Sequence, residues 1–519
     1  MNYRSLVILF LGGFFCAALF AQQPKRAYHV PEFARTWHLP SVHPDHIMLN
    51  LTEDPSTSMS VTWRTKVEVM KGYAEIALAT AAPKFWRNAV TLKAKTKTMN
   101  AMTVTGANSI SNYHAITFTD LLPDTLYAYR VGDGRIWSEW IQFRTAAQEE
   151  KPFSFLYVGD AQNYLLELWS RLIREGYSKA PDARFIIHAG DLVNNAHYER
   201  QWHEWFQAGG FIHSMLPSMP TPGNHEYGSF TREGKEVLSI QWPYQFTLPK
   251  NGPKKLSETT YFVDYQNTRL ISLNTNTLVE EQVDWLDSVL ASNNKKWTIV
   301  TFHHPLFSGS EGRNNQQLRD LWKPLFDKYK VDLVLQGHDH TYARGRAVKP
   351  ELNLTAGMNK RDYSGTVYVV SVSGGKMYGL MSNGWEDFED AERDRGAENT
   401  QLFQVINVDG DKLSFEAYTA TGQLYDAFDL IKSGEDMPNK FVERKQQAIP
   451  ARRFSNTIPY GDQLPEGIEA QLKQLYDGFK IDGITYLDEP EIRGYKVYMS
   501  KDGKYIRLTL DEKGNILQK

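Results

Sequence analysis

The sequence predicts a multidomain chain: an N-terminal β-sandwich, a larger α/β unit of sheets flanked by helices, and a small α+β appendage. Three observations carry that expectation. At 519 residues the chain exceeds what one hydrophobic core supports. From Ile47 to residue 147, short apolar–polar alternations are separated by turn residues, the mark of an all-β unit. From Pro152 to Ile431, near-continuous apolar strands alternate with amphipathic stretches, as in sheets covered on both faces.

The N-terminus reads as a targeting segment. Arg4 precedes the apolar run Leu6 to Leu11, and small residues follow in "CAALFAQQ", the pattern of a secretory signal peptide (1–21) cut near Ala21. A lipoprotein alternative would recruit Cys16, but "GFFC" is a poor lipobox. The expected location is therefore outside the inner membrane, periplasmic or secreted. Cys16 is the only cysteine, so the mature chain has no disulfide, thiol nucleophile or cysteine metal site. A net charge of −3 gives no reason to expect nucleic acid or an anionic membrane as partner. No later apolar run reaches a membrane-spanning length, so no membrane span is expected once the signal is removed.

Residues 22–46 form a polar leader whose histidines (His29, His38, His43 and His46) are expected at the surface. In the sandwich (47–147), "MSVTW" places Met59, Val61 and Trp63 on one face, and "LYAYRV" alternates from Leu126 to Val131. Turns fall at Asp54-Pro55, Pro123-Asp124 and Gly132-Asp133-Gly134. The string "LLPDTLYAYRVGDG" resembles the part of fibronectin type III-like domains that carries a structural tyrosine after a Leu-x-Pro turn.

In the α/β unit (152–431), strands are expected at 153–158, 185–187, 270–273, 297–302, 331–335 and 367–372. "LLELWSRLIREGY" and "EEQVDWLDSVLASNN" show helical spacing. A polar linker (432–464) leads to the appendage (465–519), with the helical run "EGIEAQLKQLYDGF" and a hairpin, "GYKVYMSKDGKYIRLTL". This module loosely resembles bacterial PepSY-like domains.

The chemistry gathers where apolar strands end. Gly159-Asp160-Ala161-Gln162 follows the first strand, and Gly190-Asp191 the second. "MPTPGNHEYG" supplies Asn224, His225 and Glu226; "WTIVTF" ends in His303-His304-Pro305, and "VDLVLQ" in Gly337-His338-Asp339-His340. Ligands of open α/β sheets collect at carboxyl ends of strands, so five such endings can converge on one pocket. Carboxylate, imidazole and amide donors without sulfur suit Zn, Mn or Fe. Two cations sharing a carboxylate could bind a phosphoryl oxygen and activate water near neutral pH.

In order and placement these motifs strongly resemble the calcineurin-like metallophosphoesterase superfamily: GD, GD, GNH(D/E), a histidine before proline, and GHxH. Within it, "HHPLF", "GHDHTYAR" (with Tyr342 and Arg344) and the preceding sandwich are most similar to purple acid phosphatases. The resemblance implies a four-layer β-sandwich flanked by helices, and a hydrolase acting on small phosphate esters. It implies that Asp191 bridges two metals, that Asp160 and His340 bind the first, and that Asn224, His303 and His338 bind the second. A metal-bound hydroxide would attack phosphorus while His225 assists the leaving group.

Two departures matter. The family's chromophoric tyrosine would stand at the third position after Asp191, which here is Asn194, so two divalent transition metals are expected and no Fe(III)-tyrosinate. Gln162 stands where many relatives outside the purple group place a histidine, and is a weaker candidate ligand of the first metal. In "FSGSEGRNNQ", Arg313 and Asn314 are candidates for substrate phosphate.

Other residues have plainer readings. His188 and His304 are expected to pack at strand ends, and Asp339 to face solvent or support a ligand. Glu226 fits a structural or a catalytic role equally, and His197 stands open. His203, between Trp202 and Trp205, is expected in a helix-packing cluster. A phosphomonoesterase is the leading function. A phosphodiesterase or nucleotide pyrophosphatase on the same site is the alternative. A non-catalytic exported binding protein ranks lower, since it predicts a lost ligand and none is lost. Walker-A and Gly-x-Ser-x-Gly patterns are absent.

Overall fold

The computed structural model describes residues 37–100, 110–229, 234–310, 312–347, 362–381, 391–434, 437–444, 464–488, 493–501 and 504–518, with single positions 359, 385 and 388. The expected signal peptide, His29 and much of the expected linker lie outside the described residues.

The N-terminal unit is two facing sheets. One contains Val90–Lys93, Tyr73–Leu78, Leu126–Gly132 and Ile141–Arg144; the other contains Asp45–Asn50, Met59–Lys66, Ile110–Phe118 and Lys95–Asn100. Met59, Val61 and Trp63 are buried between them against Tyr129, Val131 and Phe143. The Tyr127 hydroxyl accepts the Leu122 N–H at 2.8 Å, pinning the chain five residues upstream and fixing the turn before its own strand.

The second sheet of this sandwich does not stop at the sandwich. Asn50 pairs in parallel with Ser218, which joins Asp45–Asn50 to the strand Ser218–Pro220 in one twelve-stranded sheet. Its amide reinforces the join, donating from Nδ2 to the Ser218 carbonyl at 3.1 Å and accepting the Thr247 N–H at 3.1 Å. The strand begins at Asp45, inside the expected leader. His46 is accordingly buried rather than at the surface, its Nε2 2.9 Å from His203 Nδ1.

The central unit packs this sheet against a seven-stranded one built on the parallel strands Thr268–Ser272, Trp297–Thr301, Leu333–Gln336 and Val367–Val370. Strand alternation sorts the side chains. Leu270, Ile299, Leu333, Leu335, Val367 and Val369 join the core shared with Phe155 and Tyr157 of the first sheet. Ile271, Val300, Val334, Tyr368 and Val370 face outward. There they meet Leu286, Val289 and Leu290 of the helix Val283–Ala291, and Leu318, Trp322 and Phe326 of the helix Gln316–Lys328. On the far side, Leu156 and Phe403 lie under Gly176 of the helix Ser170–Lys179. Helix, sheet, sheet, helix make four layers, which is why the strands read as continuous apolar runs.

A buried charge ties the two sheets. Arg344, on Tyr342–Ala347, donates from Nε and Nη2 to Asp426 of Leu424–Ile431, both at 2.9 Å, and the Tyr342 hydroxyl adds a bond of 2.7 Å. The first sheet also runs past residue 431. Asn439–Glu443 pairs antiparallel with Leu424–Ile431, so the expected linker opens with a further strand. Its apolar Phe441 had been obscured by the polar neighbours. In the appendage, the helix Glu466–Leu475 buries Ile468 and Leu472 against Tyr495, Val497, Met499, Leu508 and Leu510 of a four-stranded antiparallel sheet. No described helix is long and apolar enough to cross a membrane.

Candidate metal centre

Three of the parallel strands that reach the site end in a sharp change of direction. Asp160, Asp191, His338 and His340 all have positive φ, between 49° and 76°, a region non-glycine residues rarely adopt. Such strain is tolerated only where the surroundings over-determine it, and here it turns each side chain back over the strand ends. The adjoining glycines leave the necessary room. A Cβ on Gly223 would lie 2.2 Å from Asp191 Oδ1, and one on Gly337 would lie 2.4 Å from Asp160 Oδ2.

The result is a set of converging donor atoms. His303 gives its Nδ1 proton to the Ala189 carbonyl at 2.8 Å, which leaves an Nε2 lone pair facing inward. That lone pair lies 3.1 Å from Asn224 Oδ1, 3.2 Å from His338 Nδ1 and 3.3 Å from Asp191 Oδ2. His340 gives its Nδ1 proton to the Lys376 carbonyl at 2.7 Å, and its Nε2 faces Asp160 Oδ1 at 3.6 Å. Gln162 Nε2 lies 2.8 Å from Asp191 Oδ2 and 3.0 Å from His340 Nε2. Two groups of three donor atoms, each within 4.8 Å of one another, emerge: Asp191 with His303 and His338, and Asp160 with Asp191 and His340. Asp191 belongs to both.

These residues fit cations. His303 Nε2, Asn224 Oδ1 and His338 Nδ1 lie within 3.0–3.2 Å of one another, and the Gln162 Oε1 is buried with no hydrogen-bond partner. The field says the same. Burial works against a proton on His303, yet the Asp191 and Asp160 carboxylates more than offset it and carry its pKa up to about 9. Burial likewise lifts Asp160 well above the usual carboxylate range, while in Asp191 it is outweighed by His303 and the His225 N–H, which hold that carboxyl low. Burial keeps His340 neutral, with a pKa of about 3, and lowers His338 further. The buried carboxylates call for a positive charge among them, which a proton on His303 supplies in the bare site and a cation beside the neutral His338 and His340 could supply in its place.

His225 sits at the edge of this cluster. Its N–H donates to Asp191 Oδ1 at 2.9 Å, its Nδ1 donates to the Asn194 carbonyl at 2.7 Å, and its Nε2 lies 3.9 Å from Asp191 Oδ2. Its ring is a quarter exposed, unlike the buried His303. The Asn194 side chain bonds Asn163 at 3.3 Å.

The neighbouring residues sort cleanly. Glu226 is structural: its buried carboxylate accepts the N–H groups of Gly223, Asp191, Leu192 and Val193, between 2.7 and 3.2 Å. Asp339 is buried, not solvent-facing, and accepts the Gly309 N–H at 2.6 Å, anchoring the loop that carries Arg313. Arg313 reaches the site, with Nη1 3.1 Å from the His338 carbonyl and 3.5 Å from Asp339 Oδ1. Asn314 does not: its Oδ1 accepts from Arg319 on the adjoining helix at 2.8 Å. His188 packs against Trp205 and His213 on the outer face, and His197 bonds the Gly228 carbonyl at 3.0 Å. His304 lies between, bonded to Thr275 at 2.7 Å with its ring 4.1 Å from that of His338. Asp45, His46 and His203 form a third donor group, but Arg64 already lies 2.7 Å from Asp45 and 3.1 Å from His203 and supplies the positive charge there.

Sequence comparison fits this geometry. Residues 44–145 match the family described as purple acid phosphatase, N-terminal domain, and residues 153–342 match calcineurin-like phosphoesterase, together more than half of the chain. The chain belongs to the calcineurin-like phosphoesterases and is purple acid phosphatase-like. This is a family of hydrolases. The Fe(3+)-Zn(2+) purple acid phosphatase 12 of Arabidopsis thaliana is 26% identical over 299 residues, 53% of this chain and 62% of that one. A purple acid phosphatase of Glycine max is 25% identical over 294 residues, 52% of this chain and 61% of that one. The chain thus spans less than two thirds of the length of these relatives. Among solved structures, the yellow lupin (Lupinus luteus) purple acid phosphatase PPD1 superposes with a TM-score of 0.62 at 21% identity, covering 76% of this chain and 75% of that one. PhoD superposes with a TM-score of 0.55 at 13% identity, covering 81% and 94%. Both show the shared fold.

Sequence reasoning overlooked one part of the site. The loop of residues 376–381 holds His340 through the Lys376 carbonyl, and the Tyr378 ring lies 4.8 Å from that of His340. Its motif, "SGGKMYG", is a legible Gly-Gly turn after a strand, but its contact with His340 is made by a backbone carbonyl, which no side-chain motif reports.

Proposed function

We propose that this protein is an exported, dinuclear metal-dependent phosphoesterase that hydrolyses phosphate monoesters. The observation that carries the reading is the sharing of Asp191 between two groups of donor atoms. Asp160, Gln162 and His340 would hold one cation, Asn224, His303 and His338 the other, and Asp191 both. Two such cations supply Lewis acidity toward a phosphoryl oxygen and lower the pKa of bound water.

The chain's own groups do the rest. The Ala189 and Lys376 carbonyls fix the tautomers of His303 and His340, so that both present Nε2 lone pairs inward. Asn194 fixes His225 by its Nδ1, so the free Nε2, when protonated, points a proton toward the leaving-group oxygen. Arg313 offers a cation at the rim for a non-bridging phosphate oxygen. With an amide at Asn194 in place of a phenolate, both metals are read as divalent, drawn from Fe, Zn or Mn. Export rests on Arg4 and the apolar run that follows it.

The test is hydrolysis of nitrophenyl phosphate, bis(nitrophenyl) phosphate and a dinucleotide by purified protein of measured metal content. Faster turnover of the monoester supports the proposal; preference for either diester replaces it with the phosphodiesterase reading. No turnover with two metals bound removes both.

A further inference from the structure

His340 is held from behind by one loop. The Lys376 carbonyl accepts its Nδ1 proton at 2.7 Å, its own carbonyl accepts the Tyr378 N–H at 3.1 Å, and the Tyr378 ring lies 4.8 Å from its ring. Its φ of 49° is a backbone conformation that persists only where neighbours enforce it. The loop of residues 376–381 does the enforcing, so whatever fixes that loop also fixes the direction of the His340 Nε2 lone pair. His303 depends on a different support, the Ala189 carbonyl just past the buried strand Ile186–His188.

A buried carboxylate fastens the loop. Glu398 follows the strand Ala391–Ala397, and its carbonyl accepts the Thr400 hydroxyl at 2.9 Å. Its Oε2 accepts the Leu380 N–H at 2.8 Å, and its Oε1 accepts the Tyr498 hydroxyl at 2.5 Å. Tyr498 is buried as well, on the appendage strand Arg493–Lys501. A carboxylate taken out of water keeps a fixed place only while its oxygens are hydrogen-bonded, so the Tyr498 hydroxyl sets Glu398 and Glu398 sets Leu380. Other bonds hold the far end of the loop: the Met381 N–H donates to the Gly309 carbonyl, and Arg393 Nη1 to the Met381 carbonyl, both at 2.7 Å. Those fall on Met381, whereas the Glu398 bond falls at Leu380, two residues from Tyr378.

Glu398 and Tyr498 both lie outside the matched family regions. From this chain of contacts we infer that they are positioning residues for the first metal site: the appendage, through the Tyr498 hydroxyl and the Glu398 carboxylate, holds the loop that aims His340. The inference rests on the dinuclear part of the phosphoesterase reading, and it assigns to the appendage an effect on one of the two cations.

The experiment titrates metal-free, full-length protein with zinc against a chromogenic chelator, which yields two dissociation constants, and follows hydrogen exchange of the 376–381 amides by mass spectrometry. Glu398→Ala should raise one constant by about tenfold, the low end of what a partner of a ligating histidine contributes, and leave the other within about twofold. Tyr498→Phe keeps the ring, removes only the hydroxyl, and should raise the same constant by about threefold. Both variants should exchange faster over 376–381. Glu398→Gln, whose amide can accept from Leu380 and donate to Tyr498, should restore both readouts. At saturating zinc, Tyr498→Phe should regain the wild-type kcat on nitrophenyl phosphate, a rescue that general damage to the fold would not allow. Constants that stay unchanged or rise alike in Glu398→Ala, or unaltered exchange over 376–381, overturn the inference. A wild type that binds two zinc ions yet hydrolyses no ester defeats the phosphoesterase reading instead, and the titration then decides the positioning role by itself. A wild type that takes up no zinc overturns both.

Discussion

His225 gives its Nδ1 proton to the main-chain carbonyl of Asn194 at 2.7 Å, which commits its Nε2 to the site. A group so placed assists departure of the leaving oxygen, an effect commonly worth about 10²–10⁴-fold. His225→Ala should lower kcat by about 10²-fold or more on phenyl phosphate, and by less on nitrophenyl phosphate, whose leaving group needs little protonation. Asn194→Ala retains the carbonyl and should lose far less. Equal losses on both esters in the His225 variant would contradict a leaving-group role.

Gly223 passes so close to Asp191 that a methyl group there would lie 2.2 Å from Oδ1 and 2.4 Å from the backbone nitrogen. Gly223→Ala must therefore displace the carboxylate common to both donor groups. Metal analysis should fall from about two ions per chain toward none. The far-ultraviolet circular dichroism should be retained, because the strain is confined to the strand ends. Full metal occupancy in this variant would show that Asp191 is not the shared ligand.

Asn194 also bears on colour. Without a phenolate at that position, purified protein loaded with iron should show no tyrosinate-to-iron charge-transfer band in the visible spectrum. Such a band, lost on no change at Asn194, would point to a different tyrosine and to ferric iron.

Arg344 and Asp426 bind across the two central sheets with no exposure of the arginine side chain. Removing one partner of such a pair strands the other charge in the core, at about 3–5 kcal/mol. Arg344→Met should cost that much in urea unfolding, and an Arg344→Met/Asp426→Leu double variant should recover much of it. A double variant no better than the single one would mean that Asp394 and Glu443, at 2.8 and 3.0 Å from Arg344, carry the interaction instead.

What the sequence disclosed follows from which physical signals are local. Asp160, Asp191, His303 and His338 could be found because each follows an apolar strand, and strand ends are where α/β sites gather. The buried sheets were legible for the same reason. Asn50 to Ser218 was not: one residue pair, 168 positions apart, fuses sandwich and centre, and no periodicity reports it. His46 was misplaced because burial came from partners far along the chain, His203 and Phe206, whose ring stacks 4.2 Å away. Asn314 looked equivalent to Arg313 until the helix beginning at Gln316 drew it toward Arg319. Lys376 acts through its backbone carbonyl, a role that side-chain chemistry does not reveal.

The outer face also sets how the protein responds to acid. His114 is held between the Thr65 and Thr96 hydroxyls at 2.8 and 2.9 Å, and burial pushes its pKa down to about 4. Burial, with Arg64 adding, lowers His203 to about 3, and burial lowers His213, stacked 4.1 Å from Trp205, to about 3. In the unfolded chain each takes up a proton near pH 6.5. Between that pH and about 4 the unfolded state binds more protons than the folded one, so stability falls as the solution is acidified through this window. Each histidine contributes up to about 1.4 kcal/mol per pH unit. Thermal unfolding should show a Tm declining below pH 6.5, and His114→Asn should flatten part of the decline. A Tm that rises on acidification would mean that these histidines are protonated in the folded protein, against the burial that surrounds them.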